Sequence, residues 1–120
     1  MVFLFEKLTV YQKAMELVGW IYRNRGRITD KEIKDQLKRA GLSIPLNIAE
    51  SNGRNTIKEK MQFYKTARGS LFECIPLLQI ISELGFIEES EHQKIYYLSE
   101  EIGKMINGLI NSLEKNGSRN

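Results

Sequence analysis

The spacing of apolar residues constrains the fold of this chain more than any other feature of its sequence. Apolar side chains recur every three or four residues in four separate stretches, and no stretch alternates with the period of two typical of a strand. Four amphipathic helices with short connections pack most simply as an antiparallel bundle. We therefore predict an all-α, antiparallel up-down four-helix bundle that occupies residues 1–120 as one domain, with helices at about 7–25, 30–52, 57–84 and 89–114.

The first predicted helix has an apolar stripe that is expected to face the core. Its members recur at steps of three and four, as a helix face requires. They are Leu8, Tyr11, Met15, Val18 and Tyr22. Ala14 and Ile21 widen this stripe at its edge.

Two prolines fall inside the predicted helices and bear on their shape. Pro45 cannot donate a hydrogen bond to the carbonyl of Gly41, and its ring crowds that carbonyl. Because a glycine at position 41 leaves room, we predict a kinked helix, or two short helices, rather than a loop. Pro76 is expected to bend the third helix in the same way.

Capping residues and glycines mark the ends of the helices. Thr29 followed by Glu32 has the capping-box pattern at the start of the second helix, although Asp30 can serve as the cap instead. Gly53 is expected to end that helix in a left-handed backbone conformation. The third helix is predicted to begin just after Thr56.

Cysteine content and hydropathy limit the compartment. The single cysteine, Cys74, excludes an internal disulfide and fits a reducing environment. No apolar run approaches the roughly 20 residues needed to span a bilayer. The apolar start of the chain lacks the basic front and the cleavage site of a signal peptide. We therefore expect a cytoplasmic protein that does not enter the membrane.

The charge distribution is uneven along the chain. Residues 23–68 hold twelve Lys/Arg and five Asp/Glu, although the net charge of the whole chain is only +3. Such asymmetry indicates a surface for an anion or an acidic partner, and the alternative is an ordinary solvated face rich in lysine. The candidate nucleic-acid-binding residues are Arg23, Arg25, Arg27, Lys31, Lys34, Lys38, Arg39 and Lys58. No aromatic residues interleave with them as a base-stacking platform would need, so binding is expected to depend on backbone and shape.

Polar side chains form a second stripe along the second helix, within "SIPLNIAESNGRN". Their steps of four, three and four place them on one helix face, beside polar residues that we expect on the third helix. The predicted structural polar network comprises Ser43, Asn47, Glu50, Arg54, Ser70 and Glu73. Such a group more often fixes helix register than performs chemistry, and a solvated edge is the other alternative.

Catalysis is the least favoured use of these residues. Glu50 and Glu73 could serve acid–base chemistry if they met in an open pocket. However, no nucleophile, metal-ligand set or glycine-rich phosphate loop accompanies them. Cys74 lies on an apolar stripe and is expected to be a small core residue, whereas His92 is expected to be solvated in a first helical turn. We therefore predict no enzymatic activity, no cofactor, no metal and no small-molecule substrate.

Three segments resemble a known family. "QLKRAGLSIPLNIAESNGR", "FYKTARGSLFE" and "EIGKMINGLINSL" occur in the order and spacing of the four-helix bundle family that includes the 23S ribosomal RNA intervening-sequence proteins. The family pattern commonly reads NIAEG, whereas this chain has Ser51 after Glu50. The positions that match the motif are Asn47, Glu50, Gly53, Arg54, Gly69, Ser70 and Glu73.

The resemblance implies a fold and a mode of action. Related accessory proteins of diversity-generating retroelements resemble basic pentameric rings that bind nucleic acid and a reverse transcriptase. By this resemblance we expect a non-enzymatic homo-oligomer, a pentamer, that associates with structured RNA or DNA. The rival hypothesis is a protein–protein assembly scaffold without affinity for nucleic acid, in which glutamates of the fourth helix pair with basic helices of a neighbouring subunit.

Overall fold

The chain forms four α-helices, seen here in a computed structural model that describes residues 3–118. The helices are α1 (Thr9–Asn24), α2 (Lys31–Asn52), α3 (Ile57–Glu83) and α4 (Glu89–Ser118). Short 3₁₀ turns at Leu4–Lys7 and Arg25–Arg27 flank α1, and no strand occurs within residues 3–118. The predicted all-helical fold with four helices is confirmed, and α4 continues past its predicted end near residue 114.

Side-chain caps set where α2 and α3 begin. The Asp30 carboxylate accepts the backbone N–H of Ile33 at 3.0 Å, so the structure selects Asp30 over Thr29 as the cap of α2. The Thr56 hydroxyl accepts the backbone N–H of Glu59 at 3.1 Å at the start of α3. Each cap satisfies one of the N–H groups that the first turn of a helix leaves free.

The helices pack in a closed order around one core. α2 contacts α1 and α3, and α4 contacts the same two helices, so α2 and α4 lie diagonally across the bundle. Isoleucine and leucine side chains from all four helices are excluded from solvent at the centre. The largest of them are Leu17, Ile21, Leu37, Ile44, Ile48, Leu71, Leu78, Ile81, Ile102 and Ile106.

The buried face of α1 differs from the predicted stripe. The side chains that α1 buries are Val10, Ala14, Leu17 and Ile21. Met15 is exposed, so the prediction for it was wrong, whereas Leu8, Tyr11 and Tyr22 are partly buried and pack against the core. Because α1 is apolar on two adjacent faces, the positions of α2 and α4 decide which face becomes the core. Tyr22 is thereby left at the edge of α1.

Both internal prolines lie in uninterrupted helices. α2 continues through Pro45 and α3 through Pro76, so the alternative of two short helices at Pro45 was wrong. The bend at each proline stays a prediction. Gly53 follows α2 with a φ of −91°, so the left-handed exit predicted there was also wrong. Gly85, with a φ of 80°, has the left-handed conformation instead, in the turn after α3.

The end of α2 is tied to α3 by two side chains. The Ser51 hydroxyl is buried and donates to the carbonyl of Lys60 at 2.8 Å. The Asn52 amide donates to the Tyr64 hydroxyl at 3.0 Å. Ser51 is the position where the family motif commonly has glycine, and here its hydroxyl supplies a contact between helices that a glycine cannot make.

Candidate nucleic-acid interface

Seven of the eight predicted cations lie at one end of the bundle. Arg23 is at the end of α1, Arg25 and Arg27 are in the 3₁₀ turn that follows, and the remaining four are in the first three turns of α2. Lys58 is in the first turn of α3, beyond the far end of α2. A helix the length of α2 spans roughly 33 Å, so Lys58 is separated from the other candidates.

Two of these cations are engaged by carboxylates. The guanidinium of Arg27 donates to both oxygens of Glu91 on α4, at 2.6 and 2.8 Å. This bond, with a further one from the backbone N–H of Glu88, lowers the pKa of Glu91 to about 2. Lys31 pairs with Asp35 one turn along α2 at 2.7 Å, which lowers the pKa of Asp35. Arg27 is thus held in a bidentate pair between helices, whereas Lys31 forms an exposed pair within α2 that contributes little.

Two other cations lie over an aromatic ring, and two more are close to them in α2. The Cζ of Arg25 and the Nζ of Lys38 each lie 5.5 Å from the centre of the Tyr22 ring. Lys34 is one turn before Lys38, and Arg39 follows it. Within residues 3–118, no carboxylate forms a salt bridge with any of these four cations. We call this group, Tyr22 with Arg25, Lys34, Lys38 and Arg39, the Tyr22 patch.

The Tyr22 patch opens onto a shallow surface depression of about 550 Å³. Tyr22, Lys38 and Arg39 line one part of it, and Leu42, Leu46 and Asn47 line another. Leu46 is 62% exposed, which is unusual for a leucine in the middle of a helix. Asp35 also borders the depression, and Lys31 holds its carboxylate. The surface thus combines an aromatic ring, cations that form no salt bridge within residues 3–118, exposed leucine side chains and one side-chain amide.

Tyr22 is the residue of this surface that the sequence analysis did not place there. It was assigned to the core stripe of α1, and no aromatic residue was expected among the cations. The ring reaches Lys38 only because α1 and α2 pack side by side, so a residue from another helix enters the cluster. A tyrosine at the edge of an apolar stripe, just before an arginine-rich helix end, was the available signal.

The structure divides the predicted polar network into parts. Ser70 on α3 donates to the Ser43 hydroxyl at 2.7 Å, and the Asn47 amide donates to the same hydroxyl at 2.9 Å. Glu50 and Arg54 instead form a separate, exposed salt bridge at 2.9 Å. Glu73 is exposed on α3 and hydrogen bonds to none of the other five within the described residues. The three-residue part joins α2 to α3, whereas the two carboxylates are not brought together.

The remaining chemically reactive side chains do not assemble into a site. Cys74 is fully buried, as predicted, and burial raises the pKa of its thiol to about 12. His92 is half-buried rather than solvated, and its Nε2 has no hydrogen-bond partner within residues 3–118. Over the same residues, no group of three or more His, Cys, Asp or Glu side chains is placed to hold a metal ion. No helix there is long and apolar enough to cross a membrane.

The fold defines a class of protein, the all-helical four-helix bundle, and in this chain the bundle has a cationic surface beside a partly buried tyrosine. Within that class, the chain belongs to the 23S rRNA-intervening sequence protein family, whose sequence model matches residues 6–108.

A solved structure is similar in fold. It is the crystal structure of a protein of unknown function from the S23 ribosomal protein family, from Bacteroides thetaiotaomicron VPI-5482. The two superpose with a TM-score of 0.79 at 21% identity, over 85% of this chain and 98% of that chain. No curated protein matches the sequence. At this identity, the likeness shows the fold alone.

Proposed function

We propose that this protein is a non-enzymatic homo-oligomer that associates with structured RNA or DNA through the Tyr22 patch. The observation that carries the proposal is a set of cations, Arg25, Lys34, Lys38 and Arg39, none of which forms a salt bridge within residues 3–118. Asp35 attracts Lys34 and Lys38 without bonding to them. Cations that meet phosphates release condensed counterions, and this supplies most of the sequence-independent affinity for nucleic acid. The proposed site is smaller than the sequence suggested, because Arg27 and Lys31 already have partners.

Assembly into a homo-oligomer is proposed because a few phosphate contacts in one subunit bind weakly. Copies joined in one particle bind the same strand with an avidity well above that of one subunit. α2 carries cations such as the exposed Arg39, and α4, on the opposite side of the bundle, carries exposed glutamates such as Glu89 and Glu100. Such opposite charges suit an assembly in which unlike surfaces of neighbouring subunits meet. Phe72, which is 58% exposed, and Tyr96 line a groove between α3 and α4 that a neighbouring subunit can cover. Five copies is the number that the family resemblance implies.

The test is the binding of a fluorescently labelled structured RNA, measured by anisotropy at a series of salt concentrations. We expect affinity to fall steeply with salt, and the variant Lys34→Gln/Lys38→Gln/Arg39→Gln to bind more weakly. The slope of log K against log [salt] should become shallower by about 0.9 for each phosphate contact removed. Light scattering should give a multiple of the 13.9 kDa chain mass, five-fold for a pentamer.

A matched control removes the same charge elsewhere. The variant Lys94→Gln/Lys104→Gln/Lys115→Gln neutralises three exposed lysines of α4, diagonally across the bundle from the Tyr22 patch. It should keep the slope of the wild type. Equal losses in both triple variants would mean that net charge, not this patch, attracts the RNA. Unchanged affinity in the patch variant would remove the patch from the binding surface.

A second candidate function is a protein–protein assembly scaffold without affinity for nucleic acid. It is favoured by Leu42 and Leu46, which are exposed beside the cations and suit a protein partner as well as a nucleotide. Under this alternative the chain forms an oligomer but gives no salt-dependent binding of RNA. The anisotropy and light-scattering measurements together separate the two functions.

A further inference from the structure

We infer that the Tyr22 patch binds an unpaired nucleotide, with its base against the Tyr22 ring and its phosphates on the adjoining cations. The inference rests on the proposed function and goes further, because phosphate binding alone does not distinguish paired from unpaired strands. An unpaired base exposes both of its faces and can stack on an aromatic side chain. A base inside a duplex cannot reach such a ring.

The surroundings of the ring match the parts of a nucleotide. Arg25 and Lys38 lie over the ring, each 5.5 Å from its centre, so a base stacks on it only by displacing one of them. Arg39, the next residue of α2, also lines the depression. The depression of about 550 Å³ has room for a base together with its sugar. Leu46 offers apolar contact to the flat base, and the Asn47 amide oxygen offers an acceptor to its polar edge, since the amide nitrogen already donates to the carbonyl and the hydroxyl of Ser43.

The relative strengths of the contacts favour a base over the present cation contacts. A stacked base is held more strongly on an aromatic ring than a cation over an exposed ring is. A base can therefore displace one of the two cations from the ring. The displaced cation then stays beside the nucleotide, where it meets the phosphate. A cation that contacts the ring in the free protein therefore contacts the phosphate in the complex.

The experiment compares two RNAs of equal phosphate number, a stem-loop with an unpaired loop and a fully paired duplex. Tyr22→Leu should weaken binding of the stem-loop roughly tenfold or more, the range of a lost base–aromatic stack. It should leave the duplex affinity and the salt slope unchanged. Tyr22→Phe should bind both RNAs like the wild type. Tyr97→Leu, the same kind of substitution at a 63% exposed tyrosine on α4, is the matched control and should change neither affinity.

A spectroscopic measurement covers the case in which Tyr22→Leu unfolds. A 2-aminopurine in the loop should lose fluorescence when the wild type binds, because the base stacks on the ring. The fluorescence of a 2-aminopurine in the stem should not change on binding. Tyr22→Leu that retains its helical circular dichroism should abolish the quenching. Absence of quenching with the wild type, or equal quenching with folded Tyr22→Leu, overturns the inference.

The outcomes for the two proposals are distinguishable. If the wild type binds both RNAs with steep salt dependence and Tyr22→Leu changes neither affinity, this inference falls and the proposed function stands. If the wild type binds neither RNA, both fall together.

Discussion

Replacing Gly41 by alanine is expected to destabilise the protein, although alanine is the better helix former. Gly41 is buried in α2 where that helix approaches α1. A Cβ atom built on it would lie 2.7 Å from the Cδ1 of Ile21, well inside normal contact distance. Ile21 is only 1% exposed, so its methyl group has no solvent to move into.

The magnitude follows from two opposing terms. Overpacking a core by one methyl group costs about 1–3 kcal/mol, and the alanine regains about 1 kcal/mol of helix propensity. The net loss for Gly41→Ala is therefore expected to be as much as about 2 kcal/mol. Gly69→Ala is the matched control, because that exposed glycine of α3 has no atom within 4 Å of an added Cβ. It should stabilise the protein by about 1 kcal/mol.

A double-mutant cycle isolates the contact. Ile21→Val removes the Cδ1 atom and alone should cost about 0.5–1.5 kcal/mol. In the Gly41→Ala background, Ile21→Val also removes the atom that the new Cβ overlaps. The coupling free energy between the two substitutions should therefore be favourable, by about 1–3 kcal/mol. The assay is urea unfolding followed by circular dichroism at one fixed protein concentration, because assembly would make stability concentration-dependent. Additivity of the two changes within about 0.5 kcal/mol would refute the reasoning.

The contact matters for the site as well as for stability. Ile21 precedes Tyr22, and Gly41 follows Lys38 by one turn of α2. Close packing of this pair sets the separation of α1 and α2, and so brings the Tyr22 ring near the Lys38 ammonium group. Gly41→Ala should therefore also weaken RNA binding, whereas Gly69→Ala should leave it unchanged.

Substitutions at two further positions test the polar contacts between helices. Arg27 lowers the pKa of Glu91 from 4.5 to about 2, so the pair should stabilise the fold fully above about pH 4.5 and lose that contribution as the pH falls towards 2. Thermal unfolding should therefore show that Arg27→Gln loses less stability on acidification than the wild type does. Ser51→Ala should lower the free energy of unfolding by about 1 kcal/mol, because the hydrogen bond to the Lys60 carbonyl is lost. Ser51→Gly should lower it by about 1 kcal/mol more, because glycine is the poorer helix former. Equal stability of the wild type and both variants in urea would contradict this account.

Local physics made the secondary structure predictable from the sequence. Apolar spacing places the helices, and the capping residues Asp30 and Thr56 act through side chains only three residues from the N–H groups that they accept. Cys74 was predicted as a core residue from the same periodicity, because it lies on the apolar stripe of α3, and it is buried.

Long-range packing decided what the sequence alone did not determine. α1 is apolar on two faces, so only its neighbours settle that Ile21 turns inward and Tyr22 stays at the surface. Likewise, Arg27 pairs with a carboxylate 64 residues away, and its charge is therefore not available to a phosphate. The sequence by itself determined four amphipathic helices and a surplus of cations in its first half. The tertiary structure decided which of those cations remain unpaired and which aromatic ring they surround, because both depend on distances between helices that no local pattern encodes.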